Sequence, residues 1–279
     1  MDPSMLAVVC IYLGFGLLEF FGSNLLHKPG QTRDDGIVEF VSFTTLSLVT
    51  QPAIILGVNA ALAATVPEWK GALAGISVWG AIGLFLVFDD LTQYALHRLS
   101  HSVPWLYNLH RAHHNAHYMS VRLVYRNNLL YYAMMPGIWF SAALVYLGLG
   151  WVYGGYLMVK LTVIIAAHCD LAWDRPLYRI KALAPLMWLL ERTISTPATH
   201  HAHHGRHATD PATHYKGNYG NLLFFWDVLF GTAKITRQYP KEFGVEGLPP
   251  ATLGQQLLWP VFPENRVVPE SSTATESRK

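Results

Sequence analysis

The chain has 279 residues, of which 52% are hydrophobic and only 14% charged, with a formal net charge of +2. An ordinary soluble domain carries roughly 25% charged residues, so this composition excludes one and points to a bilayer. The small charge, with no basic stripe interleaved with aromatics, excludes a nucleic-acid partner.

Taken in chain order, residues 5–26 form the first apolar run, and a helix needs about 20 such residues to cross a bilayer core. This run lacks a basic leading segment and exceeds the usual length of a signal peptide's apolar region, so it reads as a retained helix. Further runs cover residues 37–66, 72 to about 96, about 129–149 and 152–167. Gly148, Gly150, Gly154 and Gly155 predict a tight hairpin between the last two. The expected fold is therefore an all-α integral membrane protein with four to five transmembrane helices and a helical cap. Residues 1–263 read as one membrane-embedded unit and residues 264–279, rich in Ser, Thr and charge, as a disordered tail. Cys10 and Cys169 lie too far apart in this arrangement to pair, so they do not reveal the redox compartment.

Of the 20 Lys and Arg residues, four lie between residues 97 and 127 and twelve follow Cys169. By the positive-inside rule the cap faces the cytoplasm, with three spans before His97. The final Glu-Ser-Arg-Lys is not a dilysine retrieval signal, which favours a bacterial inner membrane over the endoplasmic reticulum.

Eight histidines fall in three boxes: His97 and His101; His110, His113 and His114; His200, His203 and His204. Residues three and four apart share a helix face, and neighbouring imidazoles there can converge on metal. Eight imidazoles exceed the needs of one ion, so a dinuclear site is expected. The third span runs into the first box, and Asp90, Tyr94, His97 and His101 make one stripe along it. Asp90 reads as a hydrogen-bonding support for a ligand histidine, or as a solvated acid at the membrane edge. Thr196 as N-cap, Pro197 in the first helical position and Gly205 as a stop predict a short helix for the third box, with His201 pointing elsewhere.

His168 ends the fifth span level with the boxes. It reads as a ninth ligand oriented by Asp170, or as an interface histidine capping the helix. His117 is a spare at ligand spacing, while His27, His207 and His214 are expected to face solvent. Lys160, costly in mid-span, is expected to line a polar cavity. Arg122, Tyr125, Arg126, Asn127 and Asn128 form a polar collar that holds a headgroup or anchors the fourth span. Residues 176–194 are amphipathic, with Arg179, Lys181 and Arg192 near headgroups and Leu186, Trp188 and Leu189 in the membrane surface; a cap helix packed on the bundle is compatible with this.

The pattern DxxxYxxHRxxH over residues 90–101, the two following boxes and NYGNLLFFWDVLFGT over residues 218–232 together resemble the fatty acid hydroxylase and sterol desaturase superfamily, over about residues 80–235. The resemblance implies a membrane-bound oxygenase whose cap binds two iron ions, uses O2 as co-substrate, and hydroxylates or desaturates a C–H bond of a fatty acyl, sterol or related lipid. It gives Asp90, Tyr94 and Asp227, with Trp226, supporting parts in catalysis. It further implies a separate electron donor, ferredoxin-like, cytochrome-like or a reductase. Imidazoles alone would also suit zinc or copper, so iron comes from the resemblance. The collar stands where many hydroxylases carry a His-Pro pair, which leaves the substrate open. Two rival readings are a histidine-rich membrane metal transporter or metal-binding protein, which would place its ligands in mid-membrane, and a zinc hydrolase, which would show HExxH; this chain has no His-Glu pair.

Overall fold

Residues 3–262 are described by a computed structural model, and among them every regular element is helical. The expected tail at 264–279 lies outside the described residues. In chain order the helices are α1 (Pro3–Ser23), α2 (Arg33–Thr45), α3 (Gln51–Thr65), α4 (Val78–Phe85), α5 (Thr92–Ser102), α6 (Pro104–His114), α7 (Leu129–Ala133), α8 (Pro136–Leu144), α9 (Gly150–His168), α10 (Asp174–Leu177), α11 (Ala184–Thr193), α12 (Pro197–His204), α13 (Phe225–Leu229) and α14 (Leu253–Leu258).

Three helical stretches are long and apolar enough to cross a membrane: Leu6–Ser23, Arg33–Thr65 and Leu129–His168. The second joins α2 to α3 through a π turn at Leu46–Thr50. The third folds back at Gly148, whose φ of 104° divides α8 from α9 where the glycine cluster predicted a hairpin. A side chain at Gly148 would meet Gly71 and Ala74 about 3.0 Å away, so only glycine lets the hairpin turn press against the loop after α3. Two backbone bonds, Gly71 N–H to Tyr146 O and Leu73 N–H to Leu147 O, seal that end. The expected third span, residues 72 to about 96, is not among these three and is corrected at its start. Residues 72–77 are turn, so the helix starts at Val78, and it carries the buried Asp89 and Asp90. It continues through a π turn at Leu86–Leu91 into α5 and delivers the first histidine box without a break.

Helix α9 is the central post, with α1, α4 and α12 packed on it, while α3 packs on α8 and α5 on α6. Phe85 stacks on Tyr156 at 5.0 Å within a core that includes Leu144, Leu149 and Val152. Inside this apolar bundle, charges occur in pairs. Lys160 does not line a cavity: its Nζ donates to both oxygens of Asp89 at 2.7 Å, and Gly137 leaves room for that carboxylate. Glu19, fully buried near the end of α1, accepts from Ser120 Oγ, Val121 N and Asp170 N and lies 3.6 Å from Lys28 Nζ. These bonds tie α1 to both segments that enter the cap.

Removing one partner of a buried ion pair leaves the other uncompensated, at a cost of about 3–5 kcal/mol. Lys160→Met is therefore expected to lower the thermal stability of the detergent-solubilised protein by that order, and pairing it with Asp89→Asn to recover most of the loss. Equal melting temperatures for Lys160→Met and wild type would refute the pairing.

Candidate metal centre

Four helices bring nine histidines together. Among the described residues these form two groups: His97, His101, His110, His114 and His203, and His113, His168, His200 and His204, with the ligand atoms of each group within 4.8 Å of one another. All are buried except His101, which is half-buried. Each HxxHH box is divided between the groups. On α6, His110 and His114 stand four apart on one face and serve the first group, leaving His113 for the second. On α12 the division is reversed: His200 and His204 serve the second group and His203 the first. Helix α5 adds two imidazoles to the first group, and the end of α9 adds His168 to the second. His114 and His204 stack 4.4 Å apart at the seam.

The ring nitrogens converge. His97 and His203 approach Nε2 to Nε2 at 3.0 Å, His168 and His200 at 2.9 Å, and His113 and His168 at 3.3 Å. Imidazole nitrogens sit about 2.0–2.1 Å from a bound ion such as zinc, and neighbours on one ion are then about 3 Å apart. Five Nδ1 atoms face oxygen acceptors that fix the proton there: Tyr219 O for His97 (2.7 Å), Gly217 O for His203 (2.7 Å), Asn127 Oδ1 for His110 (2.9 Å), Arg126 O for His113 (3.2 Å) and Ile164 O for His168 (2.8 Å). Their Nε2 lone pairs are thereby turned inward, the arrangement a metal ligand needs. His101 Nε2 is buried with no hydrogen-bond partner, as expected of an atom whose partner is an ion. The residues present fit two metal ions held by imidazole.

Burial also keeps these rings neutral. It pushes His97 down to about 4, against a smaller upward pull from its bond to Tyr219. It holds His101, His110, His114, His200, His203 and His204 well below 6.5, and neighbouring imidazoles lower them further.

The three carboxylate and phenol positions singled out from the sequence touch none of the nine imidazoles. Asp90 does not orient a ligand histidine; it accepts from Leu222 N, Leu223 N and the Trp226 indole at 2.8 Å. Asp227 accepts from Tyr219 N (2.8 Å), Gly220 N (2.6 Å) and Thr232 Oγ1 (2.6 Å), and burial raises its pKa against those bonds. Tyr94 Oη meets Thr232 Oγ1 at 2.9 Å and its ring stacks on Phe230. All three hold the loop at residues 217–232, and that loop presents the carbonyls that fix His97 and His203. A side chain at Gly220 would collide with Leu223 O at 2.5 Å, so the loop can fold this tightly only through glycine.

Other expectations are corrected. Asp170 does not orient His168; it pairs with Lys28 Nζ at 2.8 Å. The polar collar finds partners inside the protein. Arg122 bonds Glu39 and Gln31, Arg126 is fully buried, Asn127 supports His110, and Asn128 caps α7. His214 is half-buried, with Nε2 3.2 Å from Thr232 O, and His207 lies between Glu242 and Glu246. His27 and His117 are exposed, whereas His201 points away from the groups and bonds Cys169 O. Thr196 caps α12 as expected, and buried Asp174 adds an acceptor for Ala198 N at that helix start. Sequence reasoning missed Gly217, Tyr219 and Ile164, because a supporting backbone carbonyl leaves no mark on residue type. Asn127 carried a signal, its place in an unusually polar stretch just downstream of the second box.

A family model described as fatty acid hydroxylase matches residues 82–232. The alkylglycerol monooxygenase of Danio rerio is 28% identical over 144 residues, 51% of this chain and 28% of the relative. The enzyme of the same name from Homo sapiens is 27% identical over 158 residues, 56% of this chain and 31% of the relative. The match thus spans less than a third of these relatives' length. No solved structure matches.

Depressed histidine pKa values set the acid limit of the metal-free protein. As pH falls below 6.5 the unfolded histidines take up protons while His97, when folded, resists to about 4. Stability is therefore full above pH 6.5 and declines as pH falls towards 4. Melting curves of the metal-free protein should show this decline, and a melting temperature unchanged across that window would contradict it.

Proposed function

The chain belongs to the fatty acid hydroxylase family, and from that premise we propose that it is a membrane-bound di-iron monooxygenase that hydroxylates a C–H bond of a lipid. The observation that carries this reading is the sorting of nine neutral imidazoles, eight buried and one half-buried, into two groups at the end of an apolar helical bundle. His97, His101, His110, His114 and His203 would hold one iron, and His113, His168, His200 and His204 the other. When bound, the two ions supply the activation of O2 that no side chain here can perform. The protein's own part is to keep the imidazoles neutral by burial and to hold the protons of five of them on Nδ1. Asp90, Tyr94 and Asp227 are positioning residues that act through the loop at 217–232. Electrons come from a separate donor protein.

Hydroxylation is favoured over desaturation because the matched relatives are named as monooxygenases, and a glycerolipid bearing an alkyl chain is the first substrate to try. The chain crosses the bilayer four or five times, α8 and α9 counting as two arms, with the histidine groups on the cytoplasmic side where Lys and Arg concentrate. That side is common to a bacterial inner membrane and to the endoplasmic reticulum. On α11, Met187 and Glu191 turn inward while Leu186, Trp188 and Leu189 are more than half exposed, which suits a helix lying in the membrane surface. A metal transporter is not proposed: its ligands would line a path through the spans, whereas these nine gather at one end.

Lipid extracts of cells expressing wild type or His113→Ala, compared by mass spectrometry, test the reading. Wild type should add one oxygen to a lipid class and the variant should not; loss of two hydrogens would instead indicate desaturation. Identical profiles from a fully metal-loaded protein with a competent donor would sink it, and one metal ion per purified chain would contradict the dinuclear centre.

A further inference from the structure

The family match ends at residue 232, yet the chain beyond it returns to both double-histidine boxes. At the third box, Glu242 O accepts from Arg206 N (2.9 Å), Phe243 bridges Gly205, and Gly244 N donates to His204 O (3.3 Å). At the second box, Pro249 O accepts from the Arg111 guanidinium, Trp259 O accepts from Asn128, and the Trp259 ring lies 5.5 Å from Trp105. The segment from 242 to 259 is therefore a strap across the two helices that supply three of the four ligands of the second histidine group.

Its tightest fastening is Arg126, which is fully buried. The three guanidinium nitrogens go to three separate elements: Nε to Ala112 O on α6 (2.7 Å), Nη1 to Asp35 on α2 (2.6 Å), and Nη2 to Gln256 Oε1 on α14 (2.7 Å). Gln256 cannot flip at will, because its Nε2 donates to Ala251 O (3.1 Å) and so leaves the oxygen facing Arg126. The backbone oxygen of the same Arg126 accepts the Nδ1 proton of His113. We propose that Gln256, acting through Arg126, is a positioning residue for His113, so that the strap governs retention of the ion in the four-histidine group. This rests on the two-ion reading above.

The effect should be selective. In the first group, His97 and His203 rely on the loop at 217–219, which Asp227 holds, and His110 relies on the Asn127 amide, which is fastened to Tyr132. Among these bonds the loop at 217–219 makes none to the strap, and the Asn127 amide, although it adjoins Arg126, has its own fastening to Tyr132. In the second group, His113 leans on Arg126 and the backbone of His204 is bonded to the strap directly. Loosening Gln256 therefore acts first on the second group, whose His113 takes its acceptor from Arg126 itself.

The test is iron release from the full-length purified protein loaded with ferrous iron and challenged with a chelator. Iron per chain is followed in time, with Mössbauer spectra taken before and during the challenge. Gln256→Leu removes the acceptor at similar volume, and Gln256→Glu keeps it. Loss of a partner behind a metal-ligating histidine costs about 10- to 100-fold in affinity. Gln256→Leu should thus release one of two ions at least about tenfold faster than wild type and retain the other at the wild-type rate. Gln256→Glu should behave as wild type. Wild-type release from Gln256→Leu would overturn the inference, as would loss of both ions together with a lowered melting temperature. A wild-type chain that binds fewer than two ions would overturn the two-ion reading and this inference with it.

Discussion

Nine imidazoles can share a space closed to water only if each stays neutral and turns its proton away from the others. Burial accomplishes the first. The second is helped by an acceptor behind the ring, and for five of the nine the protein builds one from two opposing pieces of chain and one helix carbonyl. The loop at 217–232 stands behind His97 and His203, residues 126–127 stand behind His110 and His113, and Ile164 stands behind His168. Irregular chain does not hold its own shape, so each piece is fastened by a buried charge: Asp227 and Asp90 on one side, Arg126 on the other. The acids that look catalytic in the sequence are in this sense structural members of the centre, one bond removed from the rings they position.

The same constraint recurs deeper in the bundle. A lone charge among apolar helices is costly, so Asp89 meets Lys160 and Glu19 meets Lys28 together with two backbone N–H groups. Asp89–Lys160 and the bonds from Glu19 to residues 121 and 170 join segments distant in sequence and leave a penalty for separating them. The π turn at Leu86–Leu91 is part of this arrangement. Consecutive residues on a helix diverge by about 100°, and accordingly Asp89 faces α9 while Asp90 faces the loop that follows the third box. Two neighbouring carboxylates thus serve two different partners, and the span is coupled to the cap at the point where it enters it. π turns of this kind are frequent at functional sites.

Much of the centre is legible in residue spacing. Histidines three and four apart announce helix faces, Thr196 and Pro197 announce the start of α12, and His168 stands out as a polar residue ending an apolar run. The glycine cluster near 148 marks the hairpin for an equally local reason, since φ at Gly148 is one that other residues rarely adopt. Where the structure differs from the sequence pattern, the missing information is the partner. Asp90 was a buried acid on the right stripe, but the donors that satisfy it are backbone groups more than 130 residues away. The collar was polar for a reason inside the protein and not at its surface, because Asp35 and Glu39 of α2 supply its countercharges.

The sequence by itself determined which residues are ligand candidates, on which helices they ride and that long apolar helices accompany them, because spacing and hydrophobicity are local properties of the chain. Only the tertiary structure decided how the boxes are shared: that α6 gives two imidazoles to one group and one to the other, and that α12 does the reverse. That division depends on how α5, α6, α9 and α12 cross. The crossing is set by packing and by buried charges that pair across the whole length of the chain, and no local pattern encodes it.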